Sequence, residues 1–428
     1  MNSARGLIPV LVASVVLTII GCVGTVTPSA EAAAGAAQTA SPSPTGTTPD
    51  AVSSIWSVET TVNQQPKQVN NSFFDGVSAS GPDEAWAVGI YGDENALDHP
   101  LAEHWNGSAW SLAQVPQPTG QQATFGAVAD LGPDDTWAVG TSFSGGAGTT
   151  PGGSTLIEQW NGTRWAIVPS PNAVPVLNGN SNTLDAIAAT GPDDIWAAGW
   201  YLNNDADLLT MLVEHWNGTS WSLVTSPIAE DAVVTSLTAI SSDDVWAVGS
   251  FADDGNMSAH WNGRKWVLVA TPNVTSAGTV AQNELTAVSS DSAHDVWASG
   301  YVFNVNDKNF AEPFVLHWNG SRWSLTMTPN IGSEGSRLRG INVASATDVW
   351  AVGQEQQDNG SILTLTEQYD GSTWKIFSSP DPGMNGTLVD NSLSAVDGAG
   401  GGNLFAVGAD EMNGQCCLRT LAIGTSQG

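Results

Sequence analysis

The stretch "DDIWAAGW", Asp193–Trp200, recurs along the chain with small variations. Five other copies read "DEAWAVGI", "DDTWAVGT", "DDVWAVGS", "HDVWASGY" and "TDVWAVGQ". Aligned on the central aromatic residue, the copies lie at Trp86, Trp137, Trp196, Trp246, Trp297, Trp350 and, in "NLFAVG", Phe405. Their spacing of 50–59 residues is that of an internal structural repeat. The chain is therefore read as seven copies of one unit.

A second signature follows the first in six of the units. It reads "EHWNGSAW" from Glu103 and recurs as "EQWNGTRW", "EHWNGTSW", "AHWNGRKW", "LHWNGSRW" and "EQYDGSTW". Asn-Gly or Asp-Gly between two alternating runs is a strong signal for a β-hairpin, with positive φ expected at both turn residues. Each copy thus predicts two antiparallel strands joined by a tight turn.

Each unit reads as four short strands in all. An alternating run such as "LTAV" precedes a Gly-, Pro- and Asp-rich turn, the "VWAVG" strand follows, and the hairpin completes the unit. Four antiparallel strands repeated seven times predict an all-β fold, a seven-bladed β-propeller.

The two ends of the repeat region complement each other. After Phe405 the last unit has no W-S-x-V strand, whereas "SSIWSVETTVN", Ser53–Asn63, is such a strand placed before the first full unit. We expect this N-terminal strand to close the seventh blade, with Trp56 at its strand-four position, because closure removes a free sheet edge.

The repeat accounts for 18 of the 19 tryptophans, which we expect to pack between blades. The remaining one is Trp200, which lies four residues after Trp196 and is followed by Tyr201.

Charge limits the partners. The 42 acidic and 11 basic residues give a net charge of −31, which repels phosphate backbones and anionic lipid headgroups. Nucleic-acid binding is therefore not expected, whereas cations, neutral sugars and basic partners remain candidates.

The N-terminus has the features of an export signal. Arg5 precedes a 14-residue apolar run, Leu7–Ile20, which is too short to span a membrane comfortably. The run ends in "IIGC", Ile19–Cys22, which resembles the lipobox of bacterial lipoproteins and implies lipid attachment at Cys22. The alternative is cleavage after Ala32, which would release a soluble protein.

The predicted domain organisation has three parts. Residues 1–22 form a signal peptide with lipobox, 23–50 a disordered tether rich in Ala, Ser, Thr and Pro, and 51–428 the propeller. Adjacent cysteines Cys416 and Cys417 either form a strained vicinal disulfide or remain inert thiols. The protein is expected at the outer leaflet of the cell membrane or secreted, and as a monomer.

The variable loops after strand two form the expected ligand-binding face, because function concentrates on loops held by a rigid scaffold. Aromatic rings and carboxylates there suit sugar rings or cationic groups. The alternative is that these aromatic residues pack between blades and the acids are solvated. The predicted ligand-binding residues are Trp200, Tyr201, Tyr91, Phe251, Tyr301, Asp205 and Asp253.

Catalytic and metal-binding motifs are not found in the sequence. Neither HExxH, GxSxG, a P-loop nor a paired-cysteine zinc pattern occurs. The slot held by His104, His215, His260 and His317 accepts glutamine at Gln159 and Gln368, which predicts a hydrogen bond within the blade. No cofactor is expected; Ca²⁺ stays open as a ligand of the acidic loops, although the spacing of an EF-hand is missing.

With repeated motifs such as "DDVWAVG" and "HWNGSRW", the chain resembles secreted bacterial β-propeller proteins of the kelch-like and sialidase-like kind. It carries one glycine at the end of strand two where kelch repeats carry two, and its variable face has almost no arginine apart from Arg337 and Arg339. A non-catalytic module that binds glycan or an extracellular protein is favoured. The alternatives are a carbohydrate hydrolase or lyase that uses two acids of this face, and a surface spacer.

Overall fold

The computed structural model describes residues 55–62, 71–95, 97–119, 121–144, 152–177, 179–204, 208–226, 231–251, 255–274, 281–304, 307–383, 388–400, 402–411 and 418–425. Regular structure in these residues is β-strand. The described part of the chain has no helix long and apolar enough to cross a membrane. Cys22, Cys416 and Cys417 lie outside the described residues.

Twenty-eight strands follow the predicted four-strand pattern. The first three units contain β2 Ser72–Gly81, β3 Glu84–Gly92, β4 Asp98–Trp105, β5 Trp110–Leu112; β6 Gln122–Asp130, β7 Thr136–Ser144, β8 Gly152–Trp160, β9 Trp165–Ile167; and β10 Ser181–Gly191, β11 Asp194–Asn203, β12 Leu208–Trp216, β13 Trp221–Leu223. The fourth and fifth contain β14 Ala232–Ser241, β15 Asp244–Phe251, β16 Asn256–Trp261, β17 Trp266–Leu268; and β18 Ala281–Ser292, β19 Asp295–Asn304, β20 Asp307–Trp318, β21 Trp323–Met327. The sixth contains β22 Ser336–Ser345, β23 Asp348–Gln356, β24 Ile362–Tyr369 and β25 Trp374–Phe377, and the seventh β26 Asn391–Gly400, β27 Asn403–Glu411, β28 Leu418–Thr425 and β1 Trp56–Glu59.

The units do not form seven separate sheets. Five are separate four-stranded sheets, whereas the second and third units share one eight-stranded sheet in which β8 pairs with β10. The expectation of seven separate blades is wrong in this respect. The junction is one parallel bridge, Gly153 opposite Ser181, and the Gly153 amide donates to the Ser181 hydroxyl at 3.1 Å. Glycines at the start of β8 allow this approach, because a Cβ at Gly152 would lie 2.9 Å from the Asn180 carbonyl.

Closure by the N-terminal strand is confirmed. β1 pairs antiparallel with β28, and Trp56 lies opposite Thr425. The Trp56 ring packs edge-on against Trp350 of the sixth unit, with ring centroids 5.6 Å apart. The predicted position of Trp56 on the fourth strand of the last unit is therefore correct.

The repeated tryptophans pack between neighbouring units, as predicted. The Trp246 ring of the fourth unit lies 4.8 Å from Trp318 and 5.4 Å from Trp323 of the fifth. Equivalent contacts join Trp196 to the fourth unit and Phe405 to the first. Trp246 is 1% exposed, so these rings form the core between sheets.

The histidine slot also behaves as predicted. His260 Nε2 lies 2.7 Å from the Asp244 carboxylate while its ring stacks on Trp246. In the second unit the Gln159 amide donates to Asp135 at 2.9 Å instead. The residue in this slot therefore links strands two and three within one sheet.

The hairpin turns differ from the prediction in their backbone. Gly107 has a φ of 87°, whereas Asn106 is not among the described residues with positive φ. The Asn106 side chain accepts hydrogen bonds from the amides of Ser108 and Ala109, both at 3.1 Å. Positive φ at both turn residues is thus wrong, because the asparagine closes an Asx turn from an ordinary conformation.

Buried glutamates occupy the first position of "EHWNG". Glu103, Glu158, Glu214 and Glu367 are 0% exposed, and burial raises the pKa of Glu103 to about 7. The Val62 amide donates to Glu103 at 3.0 Å. Val62 lies six residues after Trp56, the strand-four tryptophan of the seventh unit. At the equivalent positions the first and second units, which precede the units of Glu158 and Glu214, carry Pro116 and Pro171.

Glu158 and Glu214 have a less favourable environment than Glu103. Proline has no N–H, and the carboxylate oxygens of these two residues find no hydrogen-bond partner among the described residues. Burial raises the pKa of both to about 8. These side chains are therefore mostly protonated at neutral pH.

Candidate functional site

Strand one of every unit carries a β-bulge at the same position. The register between strands one and two shifts around a single residue that has no partner across the pair, as at Asp75, between Phe74 and Gly76. We call these residues the bulge ring: Asp75, Gly126, Asp185, Thr235, Thr286, Arg339 and Ser394. All seven line one central cavity of about 390 Å³. Each is half-buried, whereas the residue before it is buried.

The bulge explains the glycine that ends each "WAVG" motif. At Gly249 an added Cβ would lie 2.0 Å from the carbonyl oxygen of Val233, two residues before the bulge. A bulge bends its strand and redirects the inserted side chain. The close approach of strand one thus requires glycine on strand two, and the redirected side chain points to the cavity.

Some members of the ring hold the sheets together. The Thr235 hydroxyl donates to the Leu285 carbonyl at 2.8 Å, and the Thr286 hydroxyl donates to the Leu338 carbonyl at 3.0 Å. Both bonds join strand one of one unit to strand one of the next. The charged members Asp75, Asp185 and Arg339 are then the groups best placed to act on a ligand.

The two aspartates share an unusual environment. Burial raises the pKa of Asp75 to about 8, an effect that Arg339 opposes and Asp185 reinforces. Gly126, between them in the ring, has no side chain, and its missing Cβ would lie 3.4 Å from the Asp185 Cα. At neutral pH Asp75 therefore presents a protonated carboxyl group that can donate a hydrogen bond.

A cluster of aromatic and charged side chains lies beside the ring on the fifth and sixth units. The guanidinium carbon of Arg337 lies 4.8 Å from the Phe303 ring centroid and 5.7 Å from that of Tyr301. The Tyr301 hydroxyl donates to the Glu284 carboxylate at 2.5 Å, and Arg339 Nε donates to Gln354 at 3.1 Å. We call Glu284, Tyr301, Phe303, Arg337 and Arg339 the arginine cluster.

Burial governs the electrostatics of this cluster. It raises the pKa of Glu284 despite the Tyr301 hydrogen bond and the two nearby guanidinium groups. It also raises the pKa of Tyr301, and Glu284 adds to the rise. Tyr301 therefore stays a hydrogen-bond donor at physiological pH, and Glu284 resists ionisation.

Arg337 and Arg339 are half-buried, and like the exposed cations Arg164, Arg264, Lys265 and Arg322 they form no salt bridge with a described residue. Arg419 and Lys375 form salt bridges with Asp410 and Asp370. Among the described residues, no carboxylate oxygen lies within salt-bridge distance, 4.0 Å, of either arginine of the cluster. The four exposed cations lie on or beside the hairpin turns.

The predicted ligand-binding aromatic residues lie at the ends of strand two in four different units, and the structure does not bring their rings together. Tyr91 stacks on His99 with centroids 4.9 Å apart. Tyr301 is 6% exposed and belongs to the arginine cluster. Phe251 and Tyr201 pack against buried clusters between the units.

Trp200 is half-buried on β11, opposite Thr183 and Met211. Its indole N–H is buried and has no hydrogen-bond partner among the described residues. Asp205 and Asp253 lie outside the described residues. Ligand binding by these residues stays a prediction.

Sequence reasoning did not identify the bulge ring. The strand-one segments read "FFDGV", "TFGAV", "TLDAI", "VVTSL", "ELTAV", "RLRGI" and "SLSAV", and the ring residue is the third letter of each. An invariably apolar second letter followed by a third letter of changing chemistry is the signal. The orientation of this residue toward the cavity could not be predicted, because a bulge breaks the alternation from which strand faces are assigned.

Metal ligands are not grouped in the described part of the chain, where no three His, Cys, Asp or Glu residues are placed to hold an ion.

The sequence matches no family model and no curated protein. Solved structures do match. YCF48 bound to D1 peptide is 14% identical, with 87% of this chain and 97% of that chain covered and a TM-score of 0.51. An ulvan lyase of polysaccharide lyase family PL25, bound to -[GlcA(1-4)Rha3S]-, is 11% identical, with 82% and 94% covered and a TM-score of 0.50. The chain is a β-propeller. At these identities the likeness concerns the fold alone, and a fucose-specific lectin from Aleuria aurantia, with a TM-score of 0.44, adds nothing to it.

Proposed function

We propose that this protein is a non-catalytic binding module that takes a carbohydrate in the central channel of the propeller. The bulge ring is the observation that carries the proposal. It surrounds a cavity of about 390 Å³ with two carboxyl groups, a guanidinium group and hydroxyl groups. Small-ligand sites commonly have volumes of about 300–1,000 Å³ with a few convergent polar groups.

The hydrogen-bonding capacity of the ring suits sugar hydroxyls, which both donate and accept. Protonated Asp75 donates, Asp185 accepts, and Ser394 does either. The arrangement favours a carbohydrate over a purely apolar ligand.

The test is a glycan-array screen of the full chain with and without Ca²⁺, followed by titration calorimetry of any sugar that binds. Asp75→Ala and Asp185→Ala should weaken binding about tenfold or more, since each removes a hydrogen-bonding carboxyl from the ring. Asp243→Ala is the matched control, because Asp243 is exposed in a turn. A blank array, or equal losses in all three variants, would overturn the proposal and favour a protein partner.

The two aspartates support one alternative, a carbohydrate-cleaving enzyme. A carboxyl group with a raised pKa near a second carboxylate is the arrangement of a general acid and its partner. Prolonged incubation of the bound oligosaccharide decides between the two. If the unmodified protein generates new oligosaccharide ends and the Asp75→Asn variant does not, the protein is an enzyme. If the oligosaccharide stays intact, the protein binds it without cleaving it.

The proposal includes features that rest on the sequence. We count the eight-stranded sheet as two blades, so that seven blades surround the channel, and we expect a monomer. We also propose that the protein is exported and is anchored at the cell surface by a lipid attached to Cys22. Incorporation of labelled fatty acid by Cys22→Ala would contradict the lipid anchor.

A further inference from the structure

We infer that the ligand carries an anionic group, a carboxylate or a sulfate, which Arg337 and Arg339 bind. The inference rests on the proposed function and names the class of carbohydrate as acidic. It follows from the position, the pairing and the surroundings of the two arginines.

Position is the first observation. In a chain of net charge −31, two guanidinium groups lie two residues apart on the innermost strand of the sixth unit. Arg339 lines the central cavity, and Arg337 lies nearer the end of the strand where the connection from the fifth unit enters. A ligand that occupies the cavity and extends toward that end would meet both.

Pairing is the second observation. Arg419, on β28, is neutralised by Asp410, which is 3% exposed. Arg337 and Arg339 are both half-buried, yet neither forms a salt bridge with a described residue. A partly buried charge without a counter-ion is unfavourable, and an anionic ligand would supply one.

The neighbouring acids do not replace that counter-ion. Burial raises the pKa of Glu284, Asp75 and Asp390, each of which lies within the electrostatic reach of Arg339. The raised pKa makes each of these acids a weaker counter-ion for Arg339 than an ordinary surface carboxylate.

Orientation is the third observation. The Arg337 guanidinium lies over the Phe303 and Tyr301 rings, and Gln354 accepts a hydrogen bond from Arg339 Nε. The Nη atoms of both residues make no hydrogen bond to a described residue in the structure. A guanidinium group suits carboxylates and sulfates, because two of its N–H groups can bind two oxygens of one anion by paired N–H···O bonds.

The experiment is calorimetry of the full chain with three probes. They are a linear oligosaccharide of glucuronic acid, the same oligosaccharide with its carboxyl groups reduced to alcohols, and a sulfated neutral oligosaccharide. We expect the carboxyl-reduced probe to bind at least about tenfold more weakly than the tighter of the two acidic probes. Whichever of the two acidic probes binds more tightly identifies the anionic group.

Variants assign the effect to the cluster. Arg339→Gln and Arg337→Gln should each lower the affinity for the acidic probe about tenfold, and Arg337→Lys should recover only part of it. Arg164→Gln and Arg322→Gln change the charge equally on exposed turns and should leave affinity unchanged. Melting temperatures show whether each variant still folds, and Arg337→Lys keeps the test informative if the glutamine variant does not.

The outcomes separate the two proposals. Equal binding of acidic and reduced probes, with no effect of Arg339→Gln, would overturn the anionic ligand and leave the carbohydrate-binding proposal standing. No binding of any saccharide would overturn both. Arginine-dependent binding of an acidic peptide in place of the sugars would also overturn the assignment to a carbohydrate.

Discussion

Two regions of each unit lie a few residues apart and follow opposite rules. Between the sheets, the strand-two position is tryptophan in six units and phenylalanine in the seventh, always packed against aromatic rings of the next unit. At the bulge, the corresponding position is Asp, Gly, Asp, Thr, Thr, Arg and Ser in turn. The nearly constant aromatic position builds the ring of sheets, and the variable bulge position gives the channel its chemistry.

The largest expected effect contrasts the two regions directly. Trp246→Ala should lower the free energy of unfolding by about 3–5 kcal/mol, because it leaves a large cavity between the fourth and fifth units. Ser394→Ala, in the bulge ring, should change it by less than about 0.5 kcal/mol. Urea unfolding of the two variants checks this. A loss for Ser394→Ala as large as that for Trp246→Ala would show that the ring supports the fold.

Two glycines give an intermediate contrast. Gly249→Ala places a Cβ 2.0 Å from the Val233 carbonyl oxygen and should cost about 1–3 kcal/mol through forced backbone shifts. Gly126→Ala, in the ring, meets its nearest backbone atoms at 3.4 Å and should be nearly neutral. Thermal melts of both variants decide. If Gly126→Ala is the more damaging, the ring position is under structural and not chemical constraint.

The last contrast concerns pH, and it compares buried acids with exposed ones. Burial raises the pKa of Glu158, Glu214 and Glu367 from 4.5 to about 8. The folded protein therefore keeps protons that the unfolded chain releases between about pH 4.5 and 8, so stability falls as pH rises through that window. Each site should contribute at least about 1 kcal/mol, since one pKa unit corresponds to about 1.4 kcal/mol.

Replacing these three glutamates by glutamine should remove most of the fall, measured as urea unfolding free energy at pH 5 and pH 8.5. The matched control replaces the exposed aspartates Asp83, Asp134 and Asp243 by asparagine, which changes net charge equally. If both triple variants flatten the pH dependence to the same degree, general charge repulsion and not burial is responsible.

Sequence reasoning reached what repetition makes visible. The four-strand unit, closure through Trp56, the tryptophan interfaces and the histidine slot follow from residues that recur in register. The junction between the second and third units depends on Gly152 and Gly153, which belong to one unit only. The bulge ring and the arginine cluster depend on a backbone irregularity that shifts register, and no periodic pattern records such a shift.

The pairing of β1 with β28 has a consequence for how the ring comes into being. Ser57 and Gly424, which pair there, are 367 positions apart, so β1 and β28 are the most widely separated strands that pair in the described part of the chain. Contacts between such remote segments pay the full entropy of closing the loop between them and form slowly. The other sheets are built from segments that are close in sequence and can assemble while the chain is still being made. The first strands of all seven units line the cavity, so the complete binding site exists only after the seventh unit has packed against the first.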